Sequence, residues 1–383
     1  MYNSLLTRKG ENGNLFGVKT EKKEKKKWVS PSARIANLLR ERVASLAPGD
    51  SLGTEVAIAE ESGVSRMTAR KAVNELVEEG LVERRAGVGV FVRQEEVTRR
   101  WRFVAGNLLW YTAMKAASAA RREATKIGAA LELKDAGGDM ETMLAEIAAL
   151  PSSGATGAIV FSLHGRAFDE AVRDVAAKGF PVVVIDENAG SKVKATCVVA
   201  DNVLGGRLVA ERVAAEGHSR LAFIGDFVAD TVRERWDGFS TLAAKLTGEK
   251  PLRYDVKGED RLGDWETEVR AVVGRIAKLR KRPTAVFCSC DAIARHAMRA
   301  FAECGVSVPG EVSLVGYDDD PIAEWTTPAL TTVRQDFMAM GREAVKALVA
   351  RIAKPGAPGM AVTVPVEFIS RQSLVRRRSR TSP

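Results

Sequence analysis

The chain has 383 residues, of which 45% are hydrophobic and 28% charged, with a net charge of +9 and four cysteines. That length accommodates two or three domains with ample core. No apolar run approaches the roughly eighteen residues of a membrane span, and none follows the N-terminus as a secretory signal would. A cytoplasmic protein with reduced thiols and no membrane contact is expected. Cys197, Cys288, Cys290 and Cys304 are too few for a disulfide framework. Cys288-Ser289-Cys290 has neither a second pair nor a histidine cluster with which to bind zinc. No cofactor or metal is expected.

The charge is uneven. Residues 1–100 carry 19 basic against 14 acidic residues, residues 101–370 carry 34 against 35, and the last thirteen carry five arginines and no acid. The tract Lys22, Lys23, Lys25, Lys26 and Lys27 lies in a basic tail over 1–27, matched by a second over 376–383. Such tails read as disordered, adding salt-sensitive attraction to phosphate or serving only to solubilise.

In chain order, Ile35, Leu38, Leu39, Val43 and Leu46 space a helical stripe, which Pro48-Gly49 breaks. Thr54 then caps a short helix that runs to Ser62 and ends at Gly63. Across 64–80, VSRMTARKAVNELVEEG, residues Ala69, Ala72, Val73, Leu76 and Val77 recur at i, i+3, i+4, i+7 and i+8. They make one apolar face behind a Ser65 cap, with Arg66, Arg70, Lys71 and Asn74 on the other side. Arginine and asparagine make paired hydrogen bonds to guanine and adenine edges in the major groove. A solvated basic face is the plainer alternative. The short helix before this one, and the basic hairpin after it, favour DNA binding. That hairpin comprises 81–85, a Gly87/Gly89 tip and 90–92.

Residues 31–92 resemble the winged helix-turn-helix of the GntR family. The family patterns PGxxLPSExxLA, GVSRxTVRxAL and EGLVxRRxGxGxFV correspond here to PGDSLGTEVAIA, GVSRMTARKAV and EGLVERRAGVGVFV. The resemblance implies that Ser65, Arg66, Thr68 and Arg70 contact bases and phosphates of double-stranded operator DNA, and that Gly87 lets the wing approach the backbone. Lys71, Asn74, Arg84 and Arg85 complete the expected surface. Gly53-Thr54 replaces the family's Pro-Ser and Val56 replaces a basic residue after Glu55, so the operator sequence does not transfer.

A linker is expected over 93–101 and a larger domain over 102–375. Apolar strands are predicted at 103–106, 129–133, 157–161, 182–186, 197–200, 220–224, 252–255, 285–288 and 313–317. Most are separated by amphipathic helices near 111–127, 139–149, 167–179, 203–216, 233–247, 265–280, 291–304 and 337–353. This alternation implies α/β architecture with parallel sheets, and its length implies two lobes. Ligands sit beyond the carboxyl ends of such strands. Asp186, Asp201, Asp291 and Asp318 fall there, with Trp110, Trp236 and Trp325 nearby. Carboxylates and ring faces in a cleft suit a polyhydroxylated ligand. Helix caps and core tryptophans are the alternatives for each residue.

Residues 103–375 resemble the effector domain of LacI/GalR-type regulators, which is periplasmic-binding-protein-like. The resemblance rests on VVADNVLGGRLVAERVAAEGHSRLAFIG and VSLVGYDDDPIAEWTTPALTTVRQDFMAMGREAV. It implies that Arg235, in Arg-Trp-Asp-Gly-Phe, clamps the ligand and that Asp318 is the cleft aspartate, with Asp186 and Asp201 as further polar contacts. Trp325 stands where the family often has an aromatic, and Asn107, Trp110 and Tyr111 replace the usual first-strand loop. Cys290-Asp291 replaces the family's Asn-Asp, which implies a different hydrogen-bond pattern. His218 is expected as a turn residue beneath the sheet. Chain crossings are expected near Asp201 and Thr331. One lobe then comprises 103–200 plus 331–355, and the other 202–328 plus the strand 364–369. The linker lacks a hinge-helix sequence.

Together these features predict a ligand-responsive bacterial transcriptional regulator that is cytoplasmic and nucleoid-associated. It is expected to act as a homodimeric repressor of a carbohydrate-utilisation operon, releasing its operator when a sugar binds. A purine or nucleoside effector, a corepressor mechanism and a transport-associated sugar-binding protein are the alternatives. No catalytic residue is expected: Asp318-Asp319-Asp320 has no accompanying nucleophile or phosphate loop, and Gly87-Val88-Gly89 reads as a wing tip.

Overall fold

The computed structural model describes residues 30–93, 99–187, 195–258 and 265–377. The tail 1–27, most of the linker (94–98) and 378–383 lie outside the described residues. The chain divides into two compact units between residues 96 and 97.

In the first unit, side-chain caps set each helix start. The Ser30 hydroxyl accepts from the Ala33 amide at 3.2 Å and opens α1 (Pro31–Ser45), with proline in the first helical turn. Strand β1 (Ser51–Gly53) follows. Thr54 caps α2 (Glu55–Glu61), and Ser65 caps α3 (Arg66–Glu78) by accepting from the Thr68 amide at 3.2 Å. Strands β2 (Val82–Arg85) and β3 (Gly89–Val92) form the wing, and β1 adds to it antiparallel in the order β1-β3-β2. Periodicity carries no sign of β1, a three-residue strand whose Ser51 pairs with Phe91 and whose Gly53 pairs with Val90, both far along the chain. A Cβ at Gly89 would stand 2.9 Å from the Gly53 carbonyl oxygen, so glycine is required where the two strands meet. Ile35, Leu39, Ile58, Ala69, Val73, Leu76, Val82 and Val90 make the core. Leu38, expected in the α1 stripe, is instead 62% exposed, because α1 packs through Ile35, Ala36 and Leu39.

Among the described residues, the second unit contains two parallel sheets and one two-stranded antiparallel ribbon. Strands β4 (Arg99–Ala105), β5 (Ala129–Asp135), β6 (Gly157–Phe161), β7 (Val182–Ile185) and β8 (Thr196–Ala200) belong to the first. Helices α4 (Tyr111–Lys126), α5 (Met140–Ala149) and α6 (Arg166–Ala177) alternate with its strands. Residues 99–101, expected as linker, are therefore strand: all three pair with β5, and Trp101 pairs with β6 as well. The second lobe contains α7 (Asn202–Ala215), β9 (Leu221–Gly225), α8 (Asp230–Thr247), β10 (Leu252–Asp255) and α9 (Glu266–Ala277). It continues with β11 (Ala285–Cys288), α10 (Asp291–Glu303), β12 (Ser313–Val315) and α11 (Ile322–Trp325), and its sheet order is β10-β9-β11-β12. Segments such as GAIVF, VVVI, LAFIG and AVFC are buried throughout, as strands covered on both faces by helices must be.

Among the described residues, the chain passes between the lobes at three places: at Asp201, after β13 (Thr332–Gln335), and between β14 (Ala361–Val364) and β15 (Val366–Ile369). Helix α12 (Phe337–Ala353) packs into the first-lobe core. The second crossing therefore lies at Asp336 and not at Thr331. The strand expected at 364–369 is two strands. Ala361–Val364 extends the first-lobe sheet beside β8, while Val366–Ile369 pairs antiparallel with β13. Pro365 between them has no amide to donate to either ladder, which suits a point where the chain leaves one sheet for another.

His218 lies beneath the second-lobe sheet. Its Nδ1 is 3.0 Å from the Thr284 hydroxyl and its Nε2 is 3.0 Å from the Val375 carbonyl. Burial depresses its pKa, so the ring is neutral, with Nε2–H donating to Val375 O.

Helices α7 and α8 touch backbone to backbone. A Cβ at Gly206 would collide with the Arg235 carbonyl, and one at Gly238 with the Val203 carbonyl. Backbone cannot rotate away as a side chain can, so Gly206→Ala is expected to cost about 3 kcal/mol, at the upper end for overpacking. Urea denaturation of the parent and the variant checks this.

Candidate functional site

Four non-glycine residues among those described have positive φ: His164 (60°), Asp186 (64°), Asp318 (112°) and Asp319 (56°). Each follows a strand at its carboxyl end: β6, β7 and β12. Left-handed backbone costs of order 1–3 kcal/mol per residue and clusters where side chains must be aimed.

From the second lobe, Arg235 is buried at 4% exposure. Its Nε donates to Asn202 Oδ1 at 2.9 Å and its Nη1 to the Ser289 carbonyl at 2.6 Å. The guanidinium carbon lies 3.9 Å from the centroid of the Tyr317 ring, and Nη1 lies 3.9 Å from Asp318 Oδ1. Burial works against the charge, but Tyr317, Asp318 and Asp186 outweigh it, and the arginine pKa is raised. Asp318 accepts from Gln335 Nε2 at 2.6 Å, and burial pushes its carboxyl up to about 7. Its strained loop is held by Asp319, whose two oxygens take Arg371 at 2.6 Å and Arg334 at 2.7 Å.

From the first lobe, Asp186 has its Oδ1 buried without a hydrogen-bond partner, and burial raises its pKa against the pull of His164 and Arg235. His164 Nδ1 is 2.5 Å from Glu187 Oε2. Burial disfavours the imidazolium, yet Glu187 and Asp186 prevail and its pKa is raised. A polar row thus runs from Glu187 through His164 and Asp186 to Arg235, Asp318 and Gln335. A cavity of about 390 Å³ reaches Glu187 between Arg166 and Arg173 of α6 and Asp230 and Arg233 of α8. A second, of about 460 Å³, reaches Asp318 and Gln335 beside Tyr111, Lys115 and Phe337. Gln335 Oε1 and the Tyr317 hydroxyl are also buried without partners.

Arg235, Asp318 and Asp186 therefore converge, and Tyr111 lines the second cavity. Neither cavity is lined by Asn107, Trp110, Asp201, Asp291 or Trp325. Asn107 is 2% exposed and turns the chain, its Oδ1 accepting from the Leu109 amide at 2.8 Å. Trp110 precedes α4 and packs on the first-lobe core. Asp201 caps α7 through the Leu204 amide at 2.9 Å. Asp291 is a brace: Oδ1 accepts from the Thr332 hydroxyl at 2.6 Å and Oδ2 from the Asp320 amide at 2.9 Å. Trp325 is 76% exposed on α11 and lines neither cavity. Trp236 sits in an aromatic cluster, edge-on to Phe223 at 5.5 Å. Asn202, His164, Glu187, Tyr317 and Gln335 were not singled out in the sequence. The strand-end rule reaches Asp186 and Asp201, and Glu187 and Asn202 are their immediate neighbours in sequence. Cys288 is buried and Cys290 half-buried, and burial pushes the Cys290 thiol up to about 12. Among the described residues, no group of three His, Cys, Asp or Glu side chains could hold a metal, and no helix is long and apolar enough to cross a membrane.

In the first unit Arg66, Arg70, Lys71 and Asn74 are exposed along α3, with Ser65 at its start and Thr68 half-buried. Ser65 Oγ is 2.9 Å from Thr68 Oγ1. Arg84 donates from Nε to Glu55 at 2.9 Å and from Nη2 to Asn74 Oδ1 at 2.5 Å, tying β2 to α2 and α3. Arg85 is bonded to Glu83 at 2.9 Å and lies 4.3 Å over the Phe91 ring. Gly87 turns the exposed wing tip at φ 73°.

Two family profiles match: bacterial regulatory proteins of the gntR family over residues 31–92, and a periplasmic binding protein-like domain over 210–374. The HTH-type transcriptional regulator MalR of Streptomyces coelicolor is 32% identical over 260 residues, 64% of this chain and 70% of MalR. The chain belongs to the HTH-type transcriptional regulators. The regulator joins a GntR-type head to a LacI-like, periplasmic-binding-protein-like effector domain. The HTH-type transcriptional repressor PurR of Actinobacillus pleuropneumoniae is 32% identical over 174 residues, 45% of this chain. The regulator spans about half (50%) of that relative's length. A LacI family transcriptional regulator from Enterococcus faecalis, solved with bound ribose, superposes with a TM-score of 0.61 at 22% identity. The superposition covers 73% of this chain and 100% of that one, and it shows a shared fold.

The raised pKa of Asp318 has a stability consequence of definite sign. Unfolded, the carboxyl ionises near pH 4; folded, near 7. Its stabilising contribution is complete below about pH 4 and is lost as pH rises towards 7. Asp318→Asn keeps an oxygen for Gln335 and cannot ionise. The variant is expected to lose less stability than the parent between pH 4 and 7, as urea midpoints at several pH values will show.

Proposed function

We propose that the regulator binds operator DNA through α3 and the wing, and a sugar or sugar derivative in the cleft between its two effector lobes. The observation that carries the ligand reading is the Arg235–Asp318 pair facing Asp186, whose buried oxygen lacks a donor. A guanidinium supplies donors, two carboxylates and the Gln335 oxygen supply acceptors, and hydroxyl groups satisfy both kinds. The ribose held by the structural neighbour supports the same class. A repressor of carbohydrate use, released by its sugar, is the regulatory form that fits. The regulator has no catalytic role in this reading, and it works in the cytoplasm.

Two heads of a homodimer would read an inverted repeat, since a single winged helix covers too little surface for high specificity. A tenfold to hundredfold change in operator affinity requires about 1.4–2.8 kcal/mol of coupling, and operator must weaken effector binding by the same factor.

A thermal-shift screen of the full chain against pentoses, hexoses, sugar acids and nucleosides tests the ligand class. At a hundred times Kd a ligand adds about 2.7 kcal/mol, a shift of several degrees. A sugar is expected to score, with Asp318→Asn abolishing the shift. A nucleoside as sole hit would overturn the sugar assignment.

For DNA, Arg66→Ala and Arg70→Ala are each expected to cost about 1–3 kcal/mol of operator binding. Arg84→Ala is expected to weaken binding while leaving the salt dependence unchanged, because Arg84 is engaged within the head. Fluorescence anisotropy over a range of salt concentrations separates the two outcomes, and retained affinity in the α3 variants would show that another surface binds.

A further inference from the structure

The solvent stripe of α3 carries one residue that charge does not account for. Met67, Arg70, Lys71 and Asn74 recur at i, i+3, i+4 and i+7, and so share one face, opposite the buried Ala69, Ala72, Val73 and Leu76. Arg70, Lys71 and Asn74 are exposed and polar, whereas Met67 is an exposed apolar side chain, 61% accessible. It is the second residue of the helix, flanked by Arg66, in the turn that a recognition helix leads with into the major groove. Isolated exposed apolar residues are ordinary on protein surfaces. This one, however, stands among the cations of the very face that electrostatics would bring against DNA.

The major groove offers one prominent apolar group, the C5-methyl of thymine. Asn74 is compromised as an adenine reader, because its Oδ1 already accepts from Arg84 at 2.5 Å. The two-point contact needs that oxygen for the adenine N6 amino group. Reading A·T pairs from this face therefore falls to an apolar contact.

We propose that Met67 is a specificity-determining residue that packs its thioether chain against the 5-methyl group of a thymine in each operator half-site, beside the base pair met by Arg70. The inference rests on the DNA-binding reading of α3. Met67 is long, unbranched and adaptable, so it can cover a methyl group without fixing the helix angle as closely as a paired hydrogen bond does.

The test begins by selecting duplexes from a randomised library with the full-length protein. Each half-site thymine is then replaced in turn by deoxyuridine, which removes the methyl group and keeps the base pair. At one position the replacement is expected to weaken parent binding by roughly 3–10-fold, in line with loss of one buried methyl-sized group per half-site. Met67→Ala should bind the thymine duplex correspondingly less well and be indifferent to that replacement, while Met67→Leu retains the discrimination and Arg70→Ala remains sensitive to it. Matching circular-dichroism melts of the Met67 variants would exclude unfolding. Tolerance of every thymine replacement within twofold, or equal sensitivity in Met67→Ala, would overturn the proposal and leave DNA binding standing. Failure to enrich any duplex would remove the DNA-binding reading and this inference together.

Discussion

A guanidinium taken out of water must be given partners, and the effector domain is organised around that requirement at Arg235. An uncompensated buried charge costs several kcal/mol. Here Asn202 Oδ1, the Ser289 carbonyl and the Tyr317 ring surround it, and Asp318 lies at 3.9 Å. These groups come from α7, the β11–α10 turn and the loop after β12, so one side chain links three elements of the second lobe. The arrangement depends on close approach of α7 and α8. Gly206 lies against the Arg235 carbonyl and Gly238 against that of Val203, and larger residues would push the two helices apart. Gly205 lies against the Tyr317 hydroxyl by the same logic.

The arginine does not neutralise everything near it. Asp186 and Asp318 both have raised pKa values, with burial as the main cause. Acceptor atoms of Asp186 and Gln335 are buried and unpaired. Such groups are expensive to maintain, as are the left-handed conformations of His164, Asp186, Asp318 and Asp319. Strain and unsatisfied polarity in the same place mark a surface shaped for something other than folding. The Asp319 clamp by Arg334 and Arg371 is the local compensation that keeps the Asp318 loop in its unusual conformation.

The head follows a different economy. Its caps, apolar stripe and wing are all local, and its hydrogen bonds connect neighbours in sequence or adjoining elements. Longer side-chain ties join its elements: Arg40 spans 35 residues to Glu75 and 39 to Glu79, and Arg84 spans 29 residues to Glu55 and 10 to Asn74. Through Asn74 and the half-buried Glu55, Arg84 ties the wing to α3 and α2. Basic residues in the head sequence thus divide into those that brace it and those left exposed without such a bond, and pattern alone does not separate them.

What the sequence determined by itself was everything carried by short-range periodicity and by turn chemistry. The capped helices, the buried strands of the parallel sheets and the family resemblance over 31–92 and the effector domain were legible, because each depends on residues within a few positions. Arg235, Asp318 and Asp186 were legible too, as polar residues at strand ends or in long motifs. Tertiary structure decided what distance along the chain conceals. Strand β1 exists only because β3 lies beside it; 364–369 is divided because its two halves meet different sheets; Asp291 and Asp201 became braces and caps because their oxygens were taken by Thr332, Asp320 and Leu204. His164, Glu187 and Gln335 entered the site through neighbours 15 or more residues away. A hydrogen bond to a residue far along the chain leaves no period in the sequence, and those bonds decide which polar groups the fold itself satisfies.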